Sequence, residues 1–208
     1  PLPESLRREG AAMLLAIIAD LARVPGCLVT TTLDARVNGE LQSRLPVACE
    51  SFIATDDSDE ARHFERLAKS ADAVLVIAPE TDGHLARKVS LVESLGVRSL
   101  NCSSAAIELC GDKLRLADHL ERHGIPTIPT KLVDWDQSPL ELVDDERAVV
   151  KPRDGAGSWL TFPIRTNSAD EWLPIARAYE QAEASHKALI QPYVSGHPIS
   201  VSCLCHPE

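Results

Sequence analysis

The alternation of helical and strand-like segments over residues 1–101 most constrains how this chain can fold. Residues 73–78 read AVLVIA and are apolar on both faces, as expected for a central strand of a parallel sheet. Amphipathic segments that predict helices lie on both sides of this run, at 57–69 and 82–95. A chain that alternates in this way packs helices on the faces of a parallel sheet. The pattern therefore predicts an α/β fold, and we expect one more strand before the helix that opens the chain.

The pattern changes after residue 101. Prolines and Gly124 end a predicted helix at 113–123, and the strands that follow are short and separated by polar segments. The predicted order is a strand at 131–133, one at 149–151, a returning strand at 159–164, a helix at 168–184, and strands at 188–194 and 199–205. This order predicts an α+β unit. We therefore divide the chain into an α/β domain at 1–101, a helical connector at 102–129 and an α+β part at 130–208.

Residues 148–158, AVVKPRDGAGS, combine a buried strand, a lysine and a glycine-rich loop. Pro152 cannot donate to a strand ladder, so the strand should end at Lys151. Gly155 and Gly157 allow positive φ angles and a close approach of the backbone to a ligand. Successive N–H groups in such a loop can bind an anion, and Lys151 adds a positive charge beside them. The stretch alone fits either a phosphate-binding loop or a hairpin turn that contains two glycines.

Composition excludes some classes of partner. The chain has a net charge of −10 and no basic stripe, so nucleic acid is not expected to bind. No apolar run reaches the roughly 20 residues that span a bilayer, and no signal-peptide pattern is present. The six cysteines form no C-x-x-C pair, which favours free thiols in a reducing compartment. We therefore expect a cytoplasmic protein.

Two weaker candidate sites stay open at this stage. Cys203, Cys205 and His206 lie close together in the sequence, but structural zinc sites need four ligands at recognisable spacing. Free cysteines that act as small core hydrophobes are therefore the favoured interpretation. Glu80 follows the carboxyl end of the 73–78 run, where open α/β sheets bind ligands. A solvated loop residue is the alternative for Glu80.

Four pieces in a fixed order resemble the ATP-grasp superfamily. They are Asp112-Lys113 at a helix start, Lys151 at a strand end, the loop 154–158, and the strand 189–194 running into a second strand. The resemblance covers residues 101–208, and the upstream alternation is similar to the Rossmann-like pre-ATP-grasp domain of that family. Within that superfamily, the sequence most resembles the carboxylate–amine ligases. The opening helix, with Leu6, Arg8, Glu9, Gly10 and Met13, is similar to the group that contains tyramine–glutamate ligase of methanofuran biosynthesis.

The resemblance implies a nucleotide site. Lys113 would reach the phosphates from a helix start, and Lys151 would lie near the α-phosphate and adenine. The flexible loop would close over the β- and γ-phosphates, and the linker strand would contact the adenine edge through the Gln191 carbonyl and the Val194 N–H. Many members carry an acid where Gln191 stands, which this chain lacks. The implied nucleotide-binding residues are Lys113, Lys151, Gly155, Ala156, Gly157, Ser158, Gln191, Tyr193 and Val194.

The resemblance also implies a reaction and its cofactors. ATP and Mg²⁺ would phosphorylate a carboxylate, such as that of glutamate, and an amine would then attack the acyl phosphate. The magnesium ligands and the catalytic residues are expected beyond residue 208, so we expect this fragment alone to turn over weakly or not at all. Small-molecule substrates, and copies of the same chain, are the expected partners. One alternative is a non-catalytic nucleotide-binding or scaffolding module of this fold. Another is an unrelated dinucleotide-binding protein, but no G-x-G-x-x-G follows a strand in the sequence, which argues against it.

Overall fold

The computed structural model describes residues 4–134, 146–155, 158–166, 168–182, 184 and 187–203, and only the backbone of Ser5, Leu6 and Ala169. It divides the chain into two compact units, Pro1–Gly111 and Asp112–Glu208, which we call the first and second units. Each unit is described by itself below. The domain limits that the sequence suggested remain a proposal.

The first unit alternates helices with short parallel strand pairs. Strands β1 and β2 pair in parallel, with Val29 opposite Cys49, and β3 pairs in parallel with β4. The elements in order are α1 (Glu4–Leu21), β1 (Val29–Asp34), α2 (Asn38–Leu41), β2 (Cys49–Ala54), α3 (Asp57–Ser70), β3 (Ala73–Val74), α4 (His84–Ser94), β4 (Arg98–Ser99) and α5 (Ser104–Gly111). Short 3₁₀ turns lie at Gln42–Arg44 and Thr81–Gly83. The predicted N-terminal α/β fold with parallel strands is confirmed.

Strand β3 is shorter than the sequence predicted, because a side chain takes over its hydrogen bonds. The run 73–78 was expected to pair along its length, but the ladder ends at Val74. The Val76 N–H donates to Asn101 Oδ1 at 2.8 Å, and Asn101 Nδ2 donates to the Val76 carbonyl at 2.9 Å. The Asn101 amide thus satisfies both backbone groups of a buried residue, as a neighbouring strand would.

The helix ends follow the expected capping chemistry with one correction. The acidic run 56–60 predicts a cap for α3 at Asp57 or Ser58. In the structure Asp56 is the cap, and its carboxylate accepts from the Asp59 N–H at 2.8 Å. Asp56 has the extended backbone that an N-cap needs, whereas Asp57 is already helical. Gly96 and Gly124 follow their helices with φ angles of 69° and 68°, as the predicted C-terminal stops require.

The second unit is a four-stranded antiparallel sheet with a helix packed on one face. Its elements are α6 (Lys113–Arg122), β5 (Lys131–Asp134), β6 (Arg147–Pro152), β7 (Phe162–Arg165), α7 (Trp172–Gln181) and β8 (Lys187–Pro192), with a 3₁₀ turn at Ala169–Glu171 before α7. The strand order is β5-β8-β6-β7. Side chains of α7 and of one sheet face form the core: Val133, Ala148, Val150, Ile164, Trp172, Ile175, Tyr179, Ala188 and Ile190. The predicted α+β unit is confirmed.

Two predicted strands of the second unit differ from the structure. The returning strand begins at Phe162 and not at residue 159, because Ser158 and Leu160 have φ angles of 60° and 47° and form a turn. The predicted strand at 199–205 is not formed at its described positions, 199–203. Ile199 and Val201 are largely exposed there, so the alternating pattern finds no pairing partner among the described residues.

Candidate functional site

The sheet of the second unit presents two predicted site residues on one face. Successive side chains of a strand point to opposite faces, so Ala148 and Ile190 face α7 while Lys151 and Gln191 face the other way. The register of β6 and β8 sets Lys151 opposite Leu189, and Val149 opposite Gln191. Lys151 and Gln191 are therefore diagonal neighbours on the face away from the α7 core.

The first predicted lysine reaches the same region from the start of α6. Lys113 Nζ donates to the Gly155 carbonyl at 2.7 Å, and the Lys113 backbone N–H donates to the Arg153 carbonyl at 3.0 Å. These two bonds hold the first residue of α6 against the segment that follows β6. Sequence patterns predicted both lysines, and the fold brings each of them to this segment.

The two lysines affect one another electrostatically. Burial lowers the pKa of Lys151, and the positive charge of Lys113 lowers it further. No described residue forms a hydrogen bond or ion pair with the Lys151 ammonium group. Two ammonium groups that repel one another in a partly buried site favour an anionic ligand, because an anion between them removes the repulsion.

Asp112 and Arg153 join this segment, and sequence reasoning gave neither of them a role. Asp112 caps α6, with Oδ1 accepting from the Leu114 and Arg115 N–H groups at 3.2 and 3.1 Å. Arg153 Nε donates to both Asp112 oxygens at 2.9 Å, and Nη2 donates to Oδ2 at 2.6 Å. Asp before a helix signals a cap. Nothing local in the sequence signals a partner 41 residues away.

A second anchor holds the far side of the glycine loop. Ser158 and Leu160 both have left-handed backbone conformations, which cost non-glycine residues about 1–2 kcal/mol each. The Tyr179 hydroxyl, from the buried core, donates to the Leu160 carbonyl at 2.9 Å. The loop residues Ala156 and Gly157 lie outside the described residues. The structure therefore defines how the two ends of the loop are held, at Gly155 and at Ser158.

The Gln191 side chain has a fixed orientation. Gln191 is 9 % exposed, and its Nε2 donates to Thr130 Oγ1 at 2.6 Å. The Thr130 hydroxyl in turn donates to the Ile128 carbonyl at 2.9 Å. Since the amide nitrogen is used in this way, the amide oxygen of Gln191 is the group left to accept a hydrogen bond.

Two backbone N–H groups follow β8, and they differ in whether a described residue accepts a hydrogen bond from them. The Tyr193 N–H donates to the Arg147 carbonyl at 3.0 Å, and the Arg147 guanidinium lies 4.1 Å from the centroid of the Tyr193 ring. No described residue accepts a hydrogen bond from the Val194 N–H, and the Val194 side chain is 65 % exposed. Among the described residues, the Val194 N–H is therefore available to a ligand, whereas the Tyr193 N–H is used within the sheet.

Two cavities formed by described residues lie away from the two lysines. One, of about 480 Å³, lies in the second unit between α6 and residues 124–131. The other, of about 340 Å³, lies in the first unit at the carboxyl ends of β1 and β2, and is lined by acidic residues and Arg36. Glu80 lines neither of them and is exposed. The candidate site is thus defined by its cations and hydrogen-bonding groups and not by an enclosed cavity.

The described residues include neither a cluster of metal ligands nor a membrane-spanning helix. That part of the chain contains no group of three or more His, Cys, Asp or Glu side chains arranged to hold a metal ion. Cys205 and His206, which the sequence offered as metal ligands beside Cys203, lie outside the described residues. Among the same residues, no helix has both the length and the apolar character needed to cross a membrane.

Two family models match the chain, one on each side of the division between its units. The pre ATP-grasp 3 domain matches residues 27–107, and the ATP-grasp domain matches residues 110–208. A D-alanine–D-alanine ligase of Francisella philomiragia is 24 % identical over 155 residues, which is 72 % of this chain and 48 % of that protein. The chain therefore spans about half the length of this relative.

Solved structures of the same fold include enzymes with different substrates. The biotin carboxylase domain of 2-oxoglutarate carboxylase from Hydrogenobacter thermophilus, in complex with MgADP, ADP and bicarbonate, has a TM-score of 0.61 at 19 % identity. It is matched over 89 % of this chain and 42 % of its own. A D-alanine–D-alanine ligase from Bacillus anthracis has a TM-score of 0.56 at 16 % identity, over 81 % of this chain and 57 % of its own. At these identities the likeness establishes the fold alone.

Proposed function

Because the chain belongs to the ATP-grasp superfamily, we propose that it is part of an ATP-dependent ligase that joins a carboxylate to an amine through an acyl phosphate. The family predicted from the sequence, of the carboxylate–amine ligase type, is confirmed by the two matching models and the ligase relative. One observation carries the proposal for this chain. Lys113 Nζ donates to the Gly155 carbonyl just after β6, and the charge of Lys113 lowers the pKa of Lys151, which lies 38 residues further along the chain in β6 itself.

Each group of the site has a proposed role toward ATP. The two ammonium groups would neutralise phosphate oxygens, and the segment from Gly155 to Ser158 would close over the terminal phosphates and exclude water. The Gln191 backbone carbonyl and the Val194 N–H would hold the adenine edge, and the Gln191 side-chain oxygen would accept from the adenine amino group. Magnesium would supply positive charge against the phosphates when bound, and we propose that its ligands lie outside this chain. Catalysis would then consist mostly of positioning and charge neutralisation.

The proposed reaction has two balanced steps. A carboxylate oxygen attacks the γ-phosphorus of ATP, which forms the acyl phosphate and releases ADP. The amine nitrogen then attacks the acyl carbon, so that the amide bond forms, inorganic phosphate leaves and the amine loses a proton. The carboxylate we propose is that of an amino acid, glutamate being one candidate. We propose a cytoplasmic enzyme that acts on small molecules, not on nucleic acid or at a membrane, and that can associate with copies of itself.

Nucleotide titrations of single-lysine variants test the site. We expect Lys113→Ala and Lys151→Ala each to weaken Mg-ATP binding by at least about tenfold, the loss of one charge-assisted hydrogen bond, in isothermal titration calorimetry. Lys69→Ala is the matched control, because Lys69 is an exposed lysine of α3 that pairs with Glu65 at 2.6 Å. Unchanged ATP affinity in both site variants would show that the site is assigned wrongly.

Product measurements on the full-length protein test the reaction. A panel of amino acids and amines with Mg-ATP should yield ADP and phosphate only when both substrates are present. ATP binding without phosphate release from any pair would instead identify a non-catalytic nucleotide-binding or scaffolding module. We expect residues 1–208 alone to release little or no ADP, and robust turnover by this fragment would contradict the placement of the remaining catalytic groups beyond residue 208.

A further inference from the structure

We propose that Asp112 and Arg153 act as a positioning pair that fixes the two phosphate-binding lysines relative to one another. This inference rests on the proposed function, since it concerns how the ATP site is held. Neither side chain has a role in the proposed reaction. Both are close to a site lysine in the sequence: Asp112 directly precedes Lys113, and Arg153 is two residues after Lys151.

The contacts of the pair connect the start of α6 to the end of β6. The Asp112 carboxylate accepts from two backbone N–H groups of α6 and from Nε and Nη2 of Arg153. The Arg153 carbonyl accepts from the Lys113 N–H, and the Gly155 carbonyl accepts from Lys113 Nζ. Asp112 thus fixes the direction of the first turn of α6, and Arg153 fixes the distance of that turn from the strand that carries Lys151.

The charges explain why such a restraint is needed. The charge of Lys113 disfavours the charged form of Lys151. Arg153 carries a further positive charge that faces Asp112, Asp118 and Asp154. Asp112 is the carboxylate that pairs with this arginine, at 2.6 Å between Nη2 and Oδ2. The bonds of the Asp112 carboxylate to Arg153 keep the start of α6 joined to the end of β6 before a phosphate arrives. With these bonds, the site is preorganised, and ATP does not have to bring the lysines together at the expense of binding free energy.

The geometry distinguishes positioning from direct phosphate binding by Arg153. Nε and Nη2 of the guanidinium both donate to Asp112, in the bidentate arrangement typical of arginine with a carboxylate. If Arg153 bound phosphate itself, removal of Asp112 would release the guanidinium and leave ATP affinity unchanged or higher. If the pair positions the lysines, removal of either partner weakens ATP binding, and removal of both is no worse than removal of one.

The experiment is a double-mutant cycle on the whole chain, with Mg-ATP affinity measured by calorimetry. Asp112→Asn keeps a residue that caps helices well but removes the charge, so α6 should still begin at Lys113. We expect Asp112→Asn and Arg153→Met each to weaken Mg-ATP binding by about tenfold, and the double variant to match the single variants. Arg153→Lys, which keeps the charge but cannot bind both oxygens in the same way, should lie between Arg153→Met and wild type.

Control measurements separate the possible failures. Lys69→Met removes an exposed ion pair of the first unit and should leave ATP affinity unchanged. Absence of ATP binding by the wild-type chain would refute the proposed function itself. If the wild type binds ATP and Asp112→Asn binds it equally well or more tightly, the positioning role is refuted while the site stands. Strictly additive losses in the double variant would also overturn the inference. If Arg153→Met fails to fold, the cycle of Asp112→Asn with Arg153→Lys distinguishes coupled from additive losses of Mg-ATP affinity in the same way.

Discussion

Gln191 Nε2 and Thr130 Oγ1 are 2.6 Å apart, and this hydrogen bond determines which end of the Gln191 amide faces a ligand. The donor end is directed at Thr130, and the acceptor end remains. The exocyclic amino group of adenine is a donor, whereas guanine has a carbonyl oxygen at the same position. An amide held with its oxygen toward the base therefore accepts from adenine and opposes guanine.

Replacement of Thr130 should weaken the preference for ATP over GTP. Thr130→Val keeps the shape but removes the hydroxyl, so the Gln191 amide can rotate and present its nitrogen to a guanine carbonyl. We expect the ratio of ATP to GTP affinity to fall by about tenfold, the discrimination typical of one polar contact. Thr130→Ser restores the hydroxyl and should restore the ratio. A variant that weakens both nucleotides equally would show that Thr130 has only a structural role.

Lys151→Met should lose nucleotide binding but make the folded protein more stable. The pKa of Lys151 is lowered by burial and by Lys113, so the charged form is disfavoured in the folded state. At neutral pH the unfolded chain binds the proton more tightly than the folded chain does, and this difference destabilises the fold. We therefore expect Lys151→Met to raise the thermal midpoint measured without nucleotide and to abolish the further rise that Mg-ATP produces in the wild type.

The pH dependence of that stability difference has a definite sign. As the pH rises through the lowered folded-state pKa of Lys151, the folded protein loses the unfavourable charge, and the destabilisation disappears near the unfolded value of about 10.4. The stability advantage of Lys151→Met over wild type should therefore shrink at alkaline pH. An advantage that is constant from pH 7 to pH 10.5 would contradict this account.

How far the sequence predicted this site depends on how local each signal is. Lys113 and Lys151 were found because each stands beside a local pattern, a helix start and a strand followed by glycines. Arg153 with Asp112, and Thr130 with Gln191, were not found, because these bonds join residues 41 and 61 positions apart. The packing of the start of α6 against the end of β6 brings the first pair together, and the pairing of β5 with β8 brings the second. Such contacts leave no periodicity or spacing in a single sequence.

The fold shows the same division between local and long-range information. The α/β and α+β units followed from hydrophobic periodicity, and the positive φ angles after two helices followed from Gly96 and Gly124. The early end of β3 could not be predicted in this way, because the run 73–78 has every local property of a paired strand. The competing partner, the side chain of Asn101, lies 25 positions away.

Acid should weaken the Asp112–Arg153 pair in a measurable way. Burial raises the pKa of Asp112, but hydrogen bonds from Arg153 and from the Arg115 and Leu114 N–H groups, with the arginine charge, outweigh it and leave the pKa below its usual value. The stabilisation that this lowered pKa gives is present above the unfolded value of about 3.9 and is lost as the pH falls through the folded value. The difference in unfolding free energy between wild type and Asp112→Asn, from urea titrations, should therefore decrease below pH 4. A difference that does not change with pH would contradict the ion pair.

Loss of the Asn101 amide should destabilise the first unit. Asn101→Ala leaves the N–H and the carbonyl of Val76 without partners, although Val76 is only 6 % exposed. Each unsatisfied buried group costs about 1–3 kcal/mol, so we expect the free energy of unfolding of this unit to fall by about 2–4 kcal/mol. Asn101→Asp keeps an acceptor for the Val76 N–H but has no donor for its carbonyl, and should lie between alanine and wild type.

The tryptophans allow this effect to be assigned to one unit. All three, Trp135, Trp159 and Trp172, belong to the second unit, so their fluorescence follows that unit alone, whereas amide hydrogen exchange at Val76 and Leu100 follows the first. In Asn101→Ala we expect faster exchange at both amides with the tryptophan transition unchanged. Leu100 is a sensitive reporter because its N–H donates to the Val74 carbonyl at 2.8 Å, beside the altered position. Unchanged exchange at both amides would mean that the side chain of Asn101 is not what ends β3, and that water satisfies Val76 equally well.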